Sequence, residues 1–317
     1  MISPLRLAPT LFLLVIATTA AAQVRQPSQP GQSAGLARMT WSAVLPQPAT
    51  ISAVVPNGFN VPAADLRPRI AGVGLAIRDQ GGRPTCSVHA MTFLLEYMAA
   101  TRRQHNYGNL SEEYLNVVAN RASGKTDDGD FFAVLEQGYR SYGIVSETAL
   151  PYRSTYDPSL TPPAMVVTHA KLSIESDRLV ARFIKPWDRA IGASDAQLAE
   201  VMKQLKANVP VAVGMWWPRK GAWQTTPIAG VSIIADLGKS PSGALVDGHS
   251  VVLVGYAQHN QFPGGGYFIF RNSWGPGWGD KGYGYASFEY LRKYANDLVA
   301  YIPAEQAIAD ILAKTAR

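Results

Sequence analysis

The 317-residue chain contains one cysteine and has a formal net charge of +6 and a pI of about 9.3. One cysteine cannot form an intramolecular disulfide, so a framework of bridges is excluded and the fold must depend on its hydrophobic core. The basic residues are scattered in short clusters such as RPR, TRR and PRK, without interleaved aromatic residues. We therefore expect no nucleic-acid partner.

Residues 1–22 have the pattern of a secretory signal peptide. Arg6 is the basic residue, Leu11 to Ala17 form a short apolar core, and Ala20 to Ala22 provide small residues for cleavage. The apolar core is shorter than the ~20 residues that a membrane-spanning helix needs. We therefore predict export to the periplasm or the extracellular space, with no stable membrane insertion after cleavage.

Residues 23–64 are rich in Pro, Ala, Gln and Ser and show no helical or strand period, which indicates a linker or a short pro-segment. Helical patterns follow over four stretches, at 86–98, 111–119, 130–143 and 194–208. Ser194 and Gln197 have the spacing of a capping box at the start of the fourth. Residues 303–317 are predicted to form a helical C-terminal tail.

After residue 208 the pattern changes to short β-branched and aromatic runs bounded by Gly and Pro: VPVAVGMWW, GHSVVLVGYA, GYFIFRNSW and GYGYASF. Helices thus precede strands along the chain. Such segregation predicts an α+β protein with a helical lobe, a β-rich lobe and a binding cleft between them.

Cys86 is the candidate nucleophile because it would lie in the first turn of the first long helix. The partial positive charge and the unpaired N–H groups of a helix N-terminus favour a thiolate. A lone cysteine in a protein is more often buried and inert. For Cys86 to act as a nucleophile, a base must lie within hydrogen-bond reach of its thiol. His89, one turn along the same helix, is expected to be a core residue.

His249 is the candidate base because it begins one strand, while Asn272 ends the next. In an antiparallel hairpin that pairs His249 with Asn272, Gly255 would face Gly266. The Asn272 carboxamide could then accept an imidazole N–H and fix the tautomer, the third role in a catalytic triad. Gln80, across the turn before Cys86, could supply one oxyanion-hole N–H beside the Cys86 backbone N–H.

Three stretches resemble papain-like cysteine peptidases of the bacterial type: DQGGRPTC (79–86), GHSVVLVGYA (248–257) and YFIFRNSWGPGWGDKGYGYAS (267–287). LSEEYL (110–115) and DGDFFAVLEQGYRSYGIVSETALPY (128–152) resemble further segments of that family in the same order. The resemblance covers residues 65–302. It implies a papain-like two-lobed fold, with a helical lobe, a barrel-like β-rich lobe and an active-site cleft between them.

The resemblance also implies residue roles. Cys86 matches the nucleophile, His249 the base, Asn272 the orienting residue and Gln80 the oxyanion donor. Trp274 matches an indole that shields the His–Asn hydrogen bond from water.

Two further residues concern substrate binding. Gly129 matches a glycine whose backbone pairs with the substrate, and the side-chain pocket beside His249 is expected to involve Ser250 and the strand near Val213. The floor of that pocket is expected from YANDLVA (294–300).

The chain departs from the family signature around the nucleophile, C-G-[SA]-C-[WY]. It has Arg83 at the upstream cysteine position, Pro84 in place of glycine, and Ser87 in place of the aromatic residue. The missing cysteine is consistent with a member that lacks disulfides. Residues 23–64 do not resemble the family's long helical pro-domain.

The sequence therefore predicts an exported cysteine endopeptidase that acts on peptide or protein substrates without a metal or other cofactor. Two alternatives stay open. The fold could be a catalytically silent module that binds a peptide or a protein partner in its cleft. The same triad could also serve a transpeptidase that transfers the acyl group to an amine.

Overall fold

The computed structural model describes residues 62–103, 109–188, 191–218, 232–234 and 245–315. The predicted signal peptide and nearly all of the predicted linker lie outside these ranges. Within them the chain forms eight helices: α1 (Arg67–Gly72), α2 (Cys86–Arg103), α3 (Glu112–Ser123), α4 (Phe132–Tyr142), α5 (Ala164–Asp177), α6 (Asp195–Lys206), α7 (Phe288–Tyr294) and α8 (Ala304–Thr315).

Seven described strands form one antiparallel sheet: β1 (Ala64–Asp65), β2 (Leu179–Lys185), β3 (Val211–Pro218), β4 (Leu245–Gln258), β5 (Gly266–Arg271), β6 (Tyr283–Ser287) and β7 (Ala295–Pro303). The strand order is β2-β7-β3-β4-β5-β6, and the short β1 also pairs with β4. Helices α2 to α5 precede every strand of the sheet except the short β1, so the predicted α+β segregation is confirmed.

Helix α2 is the central element because it packs against α3 and α4 on one side and against β3, β4 and β7 on the other. Its sequence is apolar on almost every face, and Val88, Met91, Leu94 and Tyr97 are fully buried. A helix that is apolar all round is stable only inside a core. The N-terminal end of α2 therefore lies between the helices and the sheet.

Local sequence signals set several helix ends. Ser111 caps α3, since its hydroxyl accepts the backbone N–H of Tyr114 at 2.9 Å, and α3 ends at Gly124 with a φ of 70°. Ser194 and Gln197 form the predicted capping box at the start of α6. A capping box satisfies two N–H groups that a helix start would otherwise leave unpaired.

The predicted register of the β4–β5 hairpin is wrong. Gly266 pairs with Gln258 instead of Gly255, and Gly255 pairs with Ile269. The connecting loop, 259–265, is shorter than the sequence suggested, and the N–H of His259 closes it by donating to the Gly265 carbonyl at 3.0 Å. A bulge after Leu253 shifts the register again toward the start of β4.

Buried ionic contacts join the sheet side to the helices. Arg78 bonds the carboxylates of Glu96 on α2 and Glu112 on α3, and it donates to the carbonyl of Leu110 at 3.0 Å. Arg271 at the end of β5 stacks over the ring of Phe93 on α2, with 4.4 Å between the guanidinium carbon and the ring centroid. Removing one partner from such a buried contact is strongly destabilising.

Candidate active site

Cys86 is the first residue of α2, and only 6% of it is exposed. The turn before it is held by the Thr85 hydroxyl, which lies 2.6 Å from the hydroxyl of Tyr152. His89 is buried as expected, and its Nδ1–H donates to the Thr85 carbonyl at 2.9 Å. Both contacts fix the start of the helix, and with it the position of the thiol.

The structure places His249 and Asn272 in direct contact, with Nε2 of the imidazole 2.8 Å from Oδ1 of the amide. An amide oxygen can only accept, so Nε2 carries the hydrogen. The same Oδ1 accepts the backbone N–H of Ser273 at 2.8 Å, which fixes the carboxamide orientation. Nδ1 is then the basic nitrogen of His249, and it has no hydrogen-bond partner within the described residues.

The contact does not arise from strand pairing, as the sequence predicted. His249 pairs with Met215 on β3, and Asn272 lies beyond the last paired residue of β5. The two side chains meet because β4 continues past the start of its pairing with β5. The correct contact was therefore inferred through a register that the structure does not have.

Two indole rings cover His249. Trp274 stacks on the imidazole with 4.4 Å between ring centroids, and Trp217 meets it edge-on at 4.7 Å. His249 is 1% exposed as a result. The sequence indicated Trp274 but missed Trp217. Trp217 lies two residues after Met215, the strand partner of His249, so Met215 and Trp217 share one face of β3. This position indicates that Trp217 lies near the His249 side chain.

Cys86 and His249 line the same cavity, and Ser250 lies beside both. Among the groups around the Cys86 sulfur, the backbone N–H and the hydroxyl of Ser250 lower the pKa of the thiol most. Ser250 thus affects the Cys86 thiol and also lines the cavity that contains it. Hydrogen bonds to the charged form of a group stabilise that form.

The burial of Cys86 and His249 disfavours the thiolate that the helix N-terminus was expected to stabilise. Removal from water raises the pKa of the Cys86 thiol, and this outweighs the donors of Ser250, Ser87 and Cys86 itself. Burial also lowers the pKa of His249 to about 4, although the bond to Asn272 favours the charged ring. Both shifts favour one shared proton on the pair over two protons or none.

Gln80 is buried and held at both ends of its amide. Its Oε1 accepts the hydroxyl of Ser273 at 2.6 Å, and its Nε2 donates to the carbonyl of Arg83 at 2.8 Å. Its backbone N–H also donates to the Ser273 carbonyl at 2.9 Å. The turn before Cys86 is thereby bonded to the segment that follows Asn272. An amide nitrogen has two hydrogens, so one remains for an oxyanion.

The sequence did not indicate that the Arg83 side chain would be buried and form ion pairs at the site. Arg83 is 3% exposed, and its guanidinium bonds Asp128 through Nε at 3.0 Å and Nη2 at 2.7 Å. It also bonds the Glu113 carboxylate and donates to the Arg153 carbonyl at 2.8 Å. At the position where the family signature has a cysteine, this chain therefore has a buried ionic link.

Gly129 lies against the nucleophile turn but does not line the cavity that contains Cys86. Its φ is 89°, and a Cβ there would be 2.3 Å from the carbonyl oxygen of Pro84, so only glycine fits. Its N–H already donates to Asn116 Oδ1 at 2.9 Å. Of the two backbone groups expected to pair with a substrate, only the carbonyl is left. The neighbouring Asp130 lines the cavity instead.

The sequence profile of the family described as "Papain family cysteine protease" matches residues 62–296. The chain belongs to this family. Residues 62–296 include the four residues Gln80, Cys86, His249 and Asn272 whose geometry is given above. The papain-like architecture expected from the sequence is thus confirmed.

Named relatives of the papain family are distant. A viral cathepsin of Adoxophyes honmai nucleopolyhedrovirus is 27% identical over 210 residues, which cover 66% of this chain and 52% of the relative. Cysteine proteinase 15A of Pisum sativum is 26% identical over 259 residues, which cover 75% of this chain and 61% of the relative. The chain thus spans between half and two thirds of the length of these relatives.

Solved structures with the same fold include xylellain, a cysteine protease from Xylella fastidiosa, with a TM-score of 0.56 and 19% identity. The match covers 77% of this chain and 87% of xylellain. Digestive procathepsin L 3 of Tenebrio molitor larval midgut gives a TM-score of 0.52 with 20% identity, over 84% of this chain and 77% of that one. At these identities the likeness concerns the fold.

Within the ranges that the structure describes, no helix is both long enough and apolar enough to cross a bilayer. In the same ranges, no three or more His, Cys, Asp or Glu side chains form a group that could hold a metal ion. That the reaction needs neither a metal nor another cofactor stays a prediction.

Proposed function

We propose that this papain-family chain is a cysteine endopeptidase in which Cys86 is the nucleophile, His249 the base and Asn272 the orienting residue. One observation carries the proposal. Oδ1 of Asn272 lies 2.8 Å from Nε2 of His249, which leaves Nδ1 as the basic nitrogen of the ring. The same imidazole lines one cavity with the Cys86 thiol. A nucleophile, a base and an oriented third group are the components of covalent acyl transfer.

In the acylation step, Nδ1 of His249 takes the thiol proton as Cys86 Sγ attacks the carbonyl carbon of the peptide. The carbonyl π electrons move to oxygen, and this oxyanion accepts the Cys86 N–H and the second Nε2–H of Gln80. When the C–N bond breaks, protonated His249 gives its proton to the leaving amine. The products are a free amine and a thioester on Cys86.

In the deacylation step, Nδ1 of His249 takes a proton from water as the water oxygen attacks the thioester carbonyl. The same two N–H groups bind the oxyanion. The C–S bond then breaks, the acid is released, and the proton returns from His249 to the sulfur. Trp274 and Trp217 support this cycle because they keep water from the His249–Asn272 bond.

Labelling by a peptidyl epoxide, followed by digestion of an unfolded fluorescent casein, tests the proposal. Wild-type protein is expected to gain one label on Cys86 and to digest casein. Cys86→Ser should lose both the label and the digestion while circular dichroism remains unchanged. Cys86→Ala is the matched variant without any nucleophilic atom.

Two outcomes would replace the peptidase proposal. A wild type that leaves casein and peptides intact, yet binds peptides as well as Cys86→Ala does, would be a peptide-binding module. Conjugates formed in preference to hydrolysis products when an amine such as glycinamide is added would indicate a transpeptidase. Mass spectrometry of the products distinguishes these outcomes.

We also propose export, which rests on the pattern of residues 1–22 and not on the fold. Expression of the full chain in a bacterial host should yield an exported product whose N-terminus follows Ala22. A chain that starts at residue 23 should stay in the cytoplasm. Recovery of uncleaved chain in the membrane fraction would contradict the proposal.

A further inference from the structure

The cavity that contains Cys86 and His249 is lined on one side by residues of β3 and β7. Its lining includes Phe131, Gly214 and two acidic residues, Asp130 and Asp297. Any chain bound with its carbonyl at Cys86 must pass this cavity. The side chains that flank the scissile bond would therefore meet two carboxyl groups.

Asp297 enters the cavity through a gap in the β3 wall. It pairs with Gly214 across the β3–β7 ladder, and a Cβ at Gly214 would be 2.1 Å from Asp297 Oδ1. The carboxyl group thus occupies the space that any side chain at position 214 would need. The backbone N–H of Gly214 lowers the pKa of this carboxyl group. Gly214, in the apolar run VPVAVGMWW, therefore leaves the space that the Asp297 carboxyl group occupies.

The described charges at this cavity leave one carboxylate in excess. Asp130 bonds Lys125 Nζ at 2.7 Å, and Lys185 Nζ bonds Asp188 at 3.0 Å while it also attracts Asp297. Three carboxylates thus share two ammonium groups. Asp297 is 5% exposed, and its burial raises its pKa to about 7 against the opposing effects of Gly214 and Lys185. A buried carboxylate without its own cation is costly, and a ligand cation would relieve that cost.

We propose that this cavity receives a cationic side chain of the substrate, arginine or lysine, and that Asp297 is the carboxylate that binds it. The proposal rests on the proposed peptidase function and names its substrate class. Phe131, Trp187 and Met215 line the same cavity and present apolar surface to the methylene stem of such a side chain. Asp297 is then a specificity-determining residue.

Peptides that differ in one residue test the proposal. Arginine and citrulline have nearly the same shape, but only arginine is charged, so a comparison of the two isolates the effect of the charge. Each residue is placed in turn at the three positions on either side of the scissile bond. At one position, kcat/KM for arginine should exceed that for citrulline by about tenfold or more, as expected for a hydrogen bond to a charged group. Lysine against norleucine should show the same preference at that position.

Asp297→Asn should reduce the arginine-to-citrulline ratio of kcat/KM to about one. Glu136→Gln is the matched control. Glu136 is also a buried acid whose pKa burial raises to about 7, but it bonds Tyr301 away from the cavity. This control should keep the wild-type ratio.

A measurement on the wild type alone keeps the test valid if Asp297→Asn does not fold. The groups that face Asp297 are Lys185 on β2, Asp130 before α4, His249 on β4 and Cys86 on α2. The catalytic pair acts on both peptides alike and cancels in the ratio. The arginine-to-citrulline ratio should therefore rise severalfold between pH 6 and pH 8 as Asp297 ionises.

The outcomes separate this inference from the proposed function. Cleavage of citrulline peptides with no arginine preference at any position would overturn the inference and keep the peptidase. An arginine preference that survives Asp297→Asn would assign the specificity to another residue and also overturn it. Absence of any cleavage would instead count against the proposed function.

Discussion

Nη2 of Arg83 lies 2.7 Å from Oδ1 of Asp128, where the Arg83 side chain is 4% exposed and that of Asp128 is 10% exposed. This ion pair joins the turn before Cys86 to the loop that contains Gly129. The Arg83 carbonyl accepts the amide N–H of Gln80, so the same residue supports the turn from its backbone and anchors it through its side chain. The chain has one cysteine, and this link acts where a disulfide cannot.

Replacing Arg83 should destabilise the protein. Arg83→Met keeps an apolar stem but leaves Asp128 and Glu113 buried without their cation, so we expect the free energy of unfolding to fall by about 3–5 kcal/mol. Urea unfolding followed by tryptophan fluorescence measures this change. Arg153→Gln is the control, because Arg153 and Asp157 form an exposed pair and such pairs contribute about 0–1 kcal/mol. Equal losses in the two variants would contradict the anchoring role.

Losing the Gln80 amide should reduce turnover without unfolding the protein. Gln80→Ala removes one preorganised oxyanion donor, which typically lowers kcat by about 10²–10³. Ser273→Ala removes only the hydroxyl that holds Gln80 Oε1, so its effect on kcat should be smaller. Steady-state kinetics on one peptide measures both. A change under about threefold in Gln80→Ala would show that another donor binds the oxyanion.

Most element positions could be predicted from the sequence because their signals are local. The capping box at Ser194 and Gln197 is one example, since the two residues are near neighbours in the chain. The fully apolar run after Cys86 is another, because its burial follows from composition alone. The repeated β-branched runs after residue 208 likewise identified four of the strands.

Contacts between distant residues could not be predicted in the same way. The register of β4 and β5 includes a bulge after Leu253 and a loop of seven residues, 259–265, and no hydrophobic period reveals either feature. The link from Arg83 to Asp128 spans 45 residues, and a lone arginine in a turn is usually on the surface. Asp297 appeared only as part of a possible pocket floor, and its pairing with Gly214 required the β3–β7 ladder.

The three proposed catalytic residues should rank by role. Cys86→Ala removes the attacking atom and His249→Ala removes its base, so both variants should lose nearly all activity by similar factors. Asn272→Ala leaves His249 in place but without the 2.8 Å bond that orients it, so kcat/KM should fall clearly but less. Measuring kcat/KM for the three variants, with circular dichroism as the folding control, tests the order. A loss in Asn272→Ala equal to that in Cys86→Ala would contradict a purely orienting role.

The pH dependence of kcat/KM should reflect the burial of the pair. The active form carries one proton shared between Cys86 and His249, and a second proton is opposed because burial lowers the pKa of His249 to about 4. Activity should therefore persist as the pH falls through 6 and decline only near pH 4. The alkaline decline should lie above the ordinary thiol pKa of about 8.5, since burial raises the pKa of Cys86.

Trp217→Leu tests directly whether burial lowers the pKa of His249. Losing the ring that meets His249 at 4.7 Å should admit water, raise the pKa of His249 toward its ordinary value of about 6.5, and move the acid limb of kcat/KM upward. Trp216→Leu is the matched control, because neighbouring residues of a strand point to opposite faces and Trp216 faces away from His249. Fluorescence at each pH confirms that the variants remain folded. An acid limb near pH 6.5 in the wild type, or an equal shift in both variants, would show that burial by Trp217 does not set the pKa of His249.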